Sequence, residues 1–105
     1  MEPVLTRDAQ KLVAAAYKVY LERRESGMDK LNAKYFSVQH LKNDYFNECA
    51  FRDYIETVHE MCRAFGCKAY INGSFQLNDA TISYMENRFK NGVKDALSFL
   101  AQFIP

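Results

Sequence analysis

A chain of 105 residues with 49% apolar side chains is long enough for one domain, here taken as residues 1–105, and leaves no room for a second. A chain of that length buries roughly two-thirds of its unfolded surface without help from a metal or disulfides. A formal net charge of +1 excludes a global attraction for nucleic acid or an anionic membrane. Three cysteines, Cys49, Cys62 and Cys67, are an odd count that speaks for free thiols rather than a disulfide framework.

The first residues carry an acid where a secretory signal needs a base, and no apolar run follows them. The longest uncharged apolar stretch, residues 96–105, falls far short of the roughly 20 residues a membrane span requires. The expectation is a cytoplasmic protein with no membrane contact.

Thr6 is placed to cap a first helix over residues 7–25, with Asp8 in its positive first turn. Ala9, Leu12, Val13, Ala16, Tyr17 and Tyr20 recur at helical spacing, Lys11, Lys18, Glu22 and Glu25 lie outside, and Gly27 stops the run. Asp29 then caps a short helix over 30–36, with Leu31, Tyr35 and Phe36 turned inward. Ser37 opens another over 38–46, with Val38, Leu41 and Tyr45 on one side. The strongest helical signal covers 50–65: Phe51, Ile55, Val58, Cys62 and Phe65 form one buried stripe flanked by Tyr54 and Met61, and Gly66 ends it.

Between Cys67 and Leu77 the apolar period drops to two, and Asn72-Gly73 is the favoured pair for a two-residue type I′ turn. This predicts a β-hairpin over 67–77 with Ile71 opposite Ser74 and Tyr70 opposite Phe75. Tyr70, Phe75 and Leu77 would then face the core, and Ile71, Ser74 and Gln76 solvent.

Asn78 caps a C-terminal helix over 79–103, on which Ile82, Met85, Phe89, Val93, Ala96, Leu100 and Phe103 keep one face. Unbroken, about 25 residues at about 1.5 Å each would overhang a domain whose radius of gyration is near 13 Å, and Gly92 is the point where it can break. Val93, Leu97, Phe99, Leu100, Phe103 and Ile104 form an apolar arc too wide for an exposed helix. Its cover comes either from a second copy, making a homodimer, or from the first helix of the same chain. The fold class is mainly α with one β-hairpin.

His59, Cys62 and Cys67 approximate zinc-ligand spacing only loosely, with His40 and Cys49 upstream, and Cys62 falls on a buried stripe where a small apolar thiol is expected. There is no Gly-rich phosphate loop, no Gly-x-Ser-x-Gly elbow and no His-Glu-x-x-His. A non-enzymatic protein with no metal and no cofactor is expected.

The order helix, short helix, longer helix, hairpin, helix resembles the winged helix-turn-helix. Leu12 to Glu25 with Gly27, the Ala-Lys-Tyr-Phe of residues 33–36, and the run from Phe75 through Tyr84-Met-Glu-Asn-Arg-Phe-Lys-Asn-Gly92 are similar to the small stand-alone YjcQ-like winged-helix proteins of Gram-positive bacteria and their mobile elements. The resemblance covers most of the chain. It implies a DNA-associated regulator whose helix over 50–65 enters the major groove while the hairpin wing touches the adjacent backbone.

The charges complicate that implication. Residues 43–62 carry one basic and five acidic side chains, so the negative band coincides with the presumed reading helix. The candidate DNA contacts are Lys30, Lys34, Lys42, Arg52, His59, Arg63 and Lys68, with His40 beside them. On the same helix Arg52 can pair with Glu56, and Arg63 with Glu60. The competing expectation is a protein-binding module or element-borne inhibitor. It would dock Asp53, Glu56 and Glu60 on a basic surface of a nucleic-acid-handling protein, with Val93, Leu97, Phe99, Leu100 and Phe103 as a further interface.

Overall fold

The computed structural model describes residues 4–103; the readings that fall on residues 1–3 and on Ile104 lie outside them. The described residues form six α-helices and a small antiparallel sheet, in the order α1 (Arg7–Glu25), α2 (Lys30–Ala33), β1 (Tyr35–Phe36), α3 (Val38–Tyr45), α4 (Phe51–Phe65), β2 (Lys68–Ala69), β3 (Phe75–Gln76), α5 (Asp79–Arg88) and α6 (Val93–Leu100), with a 3₁₀ turn over Ala101–Phe103. None of these helices is long and apolar enough to cross a membrane.

Helix α1 starts where its cap predicts, with the Thr6 hydroxyl accepting from the Ala9 amide. It is covered on more than one side: Ala14, Ala15 and Ala16 are buried together with Leu12, Val13, Tyr17 and Tyr20, and α3, α4, α5 and α6 all pack on it. Three successive alanines leave room for neighbouring backbones to approach where longer side chains would hold them off. Burying a single Leu such as Leu12 contributes about 1.5–3 kcal/mol.

The second helix is shorter than its spacing suggests. It stops at Ala33, and Tyr35–Phe36, read as its last turn, is a strand. Two residues have no period of their own to read. They are extended because β3 pairs with them, Tyr35 against Gln76 and Phe36 against Phe75, and the two phenylalanine rings stack 5.0 Å apart. The change of backbone turns Tyr35 outward, Leu31 on α2 is exposed as well, and only Phe36 of the three lies in the core. Arg23, in the last turn of α1, holds the new path by donating to the Ala33 carbonyl at 3.3 Å and the Tyr35 carbonyl at 2.6 Å.

The hairpin is present, but its register is one residue from the expected one. Ala69 lies opposite Phe75 and Lys68 opposite Gln76, with β3 central in the order β1-β3-β2. The turn is not type I′, because no residue other than glycine has a positive φ. The Gly73 amide bonds the Tyr70 carbonyl, closing a turn over Ile71-Asn72, and Gly73 itself takes the left-handed conformation at φ +93°. The Asn72 carboxamide oxygen accepts from the Ser74 amide at 3.0 Å and the Ser74 hydroxyl at 2.7 Å, a local bond that holds this longer loop. Phe75 and Leu77 still face the core, whereas Tyr70, expected beside them, is moved outward and Ser74 is buried.

Helix α4 buries Tyr54, Thr57, Val58, Met61 and Cys62. The stripe is therefore rotated from the expected one. Tyr54 and Met61, read as flanks, lie at its centre, Ile55 and Phe65 are half-buried, and Phe51 is 55% exposed. Phe65 packs on the Tyr84 ring of α5 at 4.8 Å.

The C-terminal helix does break, between Arg88 and Val93, where Gly92 opens α6 with a φ of +65° that no side-chain-bearing residue adopts easily. Instead of overhanging, α6 folds back along α1. Phe99 meets Phe89 at 6.0 Å and Phe103 at 5.4 Å, while Arg7 lies over the Phe103 ring. Of the apolar arc, Leu100 is buried, Val93, Phe99 and Phe103 are half-buried, and Leu97 stays exposed. The chain thus supplies most of the cover that a second copy was invoked to provide.

Candidate functional site

Helix α4 and the hairpin beside it hold seven of the predicted contact residues, and α4 presents two different flanks. On the flank toward α1, Asp53, Glu56, Glu60 and Arg63 line a hollow of about 450 Å³ together with Thr6 and Asp8. Glu60 is not free there. Its carboxylate accepts from the Thr6 amide at 2.8 Å and the Thr6 hydroxyl at 2.7 Å, placing a negative charge at the positive end of α1. The expected Arg52–Glu56 and Arg63–Glu60 pairs do not form. The ion pairs among the described residues are Lys18–Glu22 and Lys34–Asp79.

The other flank meets the hairpin. A Cβ added at Gly73 would lie 3.0 Å from both the Ile55 and the Val38 side chains, so the turn rests directly on α4 and α3. Arg52 and His59 stand three residues before and four after Ile55, which makes them its neighbours on the helix surface. Arg52 is exposed and His59 half-buried. Lys68 is exposed on β2, opposite Gln76 and in line with Tyr35 across the sheet.

The remaining predicted cations go elsewhere. Lys34 reaches the Asp79 carboxylate at 2.9 Å, and this contact draws that carboxyl below its usual value. Lys42 donates to the Phe46 carbonyl at 2.8 Å and so caps the end of α3. Lys30 is exposed on α2. His40 turns back to its own helix start, where its Nδ1 accepts from the Ser37 amide at 3.0 Å and lies 3.0 Å from the Arg23 guanidinium. Burial, and then the Arg23 charge, push its pKa below the ordinary histidine value. Among the described residues no three His, Cys, Asp or Glu side chains are grouped to hold a metal ion.

Pattern reading missed the apolar surface around this site. Tyr35, Tyr70, Ile71, Asn72 and Ser74 line a shallow hollow of about 500 Å³ on the outer face of the sheet, and Ile71 at the tip is 94% exposed. Neither Tyr35 nor Tyr70 signals its exposure, because the first follows from strand pairing and the second from the hairpin register. Comparison with protein-family models, with curated proteins and with solved structures finds no match to this chain.

Proposed function

We propose that the chain is a winged-helix protein similar to the YjcQ-like group, and that it acts as a non-enzymatic, DNA-associated regulator. The observation that carries this reading is the seating of the Gly73 turn on Ile55 of α4 and Val38 of α3. It joins a helix-turn-helix of α3 and α4 to the hairpin in one continuous surface. Arg52, His59 and Lys68 belong to that surface, while Asp53 lines the hollow on the far flank of α4 and Glu56 lies between, one helical turn from both Arg52 and His59. The engagement of Glu60 by Thr6 lessens, without removing, the electrostatic objection to an acidic reading helix. Lys34 and Lys42, tied to Asp79 and to the end of α3, contribute less than Arg52 and Lys68.

Titration against random duplex DNA at about 50 and about 200 mM salt tests the reading, with affinity expected to fall steeply between them. Arg52→Glu with Lys68→Glu should abolish binding, and Lys42→Glu should leave most of it. Absence of any shift at low salt and micromolar protein would refute DNA association.

A second reading has its own support in the exposed aromatic and apolar side chains Tyr35, Phe51, Tyr70 and Ile71, a composition that suits a protein interface core. In that reading the Asp53 and Glu56 flank steers the surface onto a basic partner. Asp53→Lys with Glu56→Lys would then destroy complex formation, whereas the Arg52 and Lys68 reversal would spare it.

A further inference from the structure

The sulfurs of Cys62 and Cys67 lie 2.8 Å apart and share a hydrogen bond at the junction of α4 and β2. Cys62 is in the last turn of α4 and buried, and Cys67 follows Gly66 and is half-buried. The backbone already closes this loop, since the Cys67 amide donates to the Cys62 carbonyl at 3.0 Å. Asn78, at the start of α5, braces the same junction by donating to the Phe65 carbonyl at 3.0 Å. A disulfide requires Cβ vectors that converge, and two thiols already in contact have side chains directed at each other. We infer that Cys62 and Cys67 form an oxidisable dithiol, a modification site that a hydroperoxide converts to an intramolecular disulfide fastening the end of α4 to the first strand of the hairpin.

The two sulfurs divide the chemistry unequally. The contact with Cys62 draws the Cys67 thiol below its ordinary value, against the opposing effect of burial. The same contact, and then burial, raise Cys62. Cys67, the more exposed of the two, is the attacking sulfur. Its thiolate takes one peroxide oxygen, the O–O bond breaks, and the other oxygen leaves as water or alcohol after gaining a proton, so that Cys67 becomes a sulfenic acid. The Cys62 sulfur then attacks the Cys67 sulfur. The S–O bond breaks, hydroxide leaves as water with the Cys62 proton, and the S–S bond forms. Two thiols are oxidised and one hydroperoxide is reduced. Cys49, whose thiol burial raises, stands apart as an internal control.

The test uses Cys49→Ser protein, which retains both partners, treated with hydrogen peroxide. The expected product is monomeric and two hydrogens lighter, resists alkylation after denaturation and regains both thiols with dithiothreitol. It should form several-fold faster in the folded protein than in urea at the same pH. With Cys62→Ser, or Cys62→Ala if the serine does not fold, Cys67 should instead accumulate a sulfenic acid that dimedone traps. Gain of oxygen without loss of hydrogen in the Cys49→Ser protein, disulfides between chains, or equal rates folded and in urea would each overturn the inference.

Discussion

Helices α1 and α4 begin from similar amphipathic patterns and end in opposite circumstances. Helix α1 is enclosed by the five other helices, and its three successive alanines are buried. Helix α4 buries one stripe and leaves Phe51, Arg52, Asp53, Glu56 and Arg63 in solvent. The apolar period says that a helix has an inside. It does not say how many neighbours the helix has, and here that number separates the scaffold from the surface it presents.

The contrast can be broken most forcefully by emptying the layer that both helices share. Met61→Ala, in the fully buried stripe of α4, should cost about 2–5 kcal/mol in urea unfolding. Arg52→Ala, on the same helix but exposed, should stay within about 0.5 kcal/mol of the parent. A comparable loss at Arg52 would mean that the outer flank of α4 is part of the scaffold.

A smaller effect sharpens the point from the side of α1. Ala15→Leu inserts a branched side chain between packed helices and should destabilise by about 1–3 kcal/mol. The same change at the exposed Ala64 of α4 should be close to neutral in the same denaturation series. Equal tolerance at both positions would remove the distinction between an enclosed helix and a presented one.

The smallest effect concerns the joint that ties α1 to α3. His40 accepts at Nδ1 and is held neutral, with its folded pKa below the ordinary 6.5. Between the folded and unfolded values the unfolded chain binds more protons, so stability is complete above about pH 6.5 and declines as pH falls through that window. Thermal unfolding between pH 8 and pH 5 should show the decline. His40→Gln keeps an acceptor for the Ser37 amide and should flatten it. An unchanged slope in that variant would assign the acid sensitivity to other groups.

Much of this architecture was legible because it is local. Thr6, Asp29 and Asn78 are caps that act within a few residues, and the helices they start begin where those side chains accept their bonds. Gly92 interrupts the long C-terminal pattern through its own backbone. What escaped depends on partners far away in the chain. Tyr35–Phe36 is a strand only because Phe75–Gln76 pairs with it, and Glu60 acquires its role from Thr6. At the candidate site, the polar character of Arg52, His59 and Lys68 was readable, but their placement beside the hairpin was not. That depends on which edge of α4 the hairpin rests against, and a register shift of one residue decided where Tyr70 points.

The return of α6 along α1 has a consequence for synthesis. A chain emerging from the ribosome folds its early segments first. Helix α1 is complete long before α6 exists, so a broad side of the most enclosed helix must wait uncovered through most of translation. Its alanines leave less apolar surface bare during that wait than leucines at the same positions would.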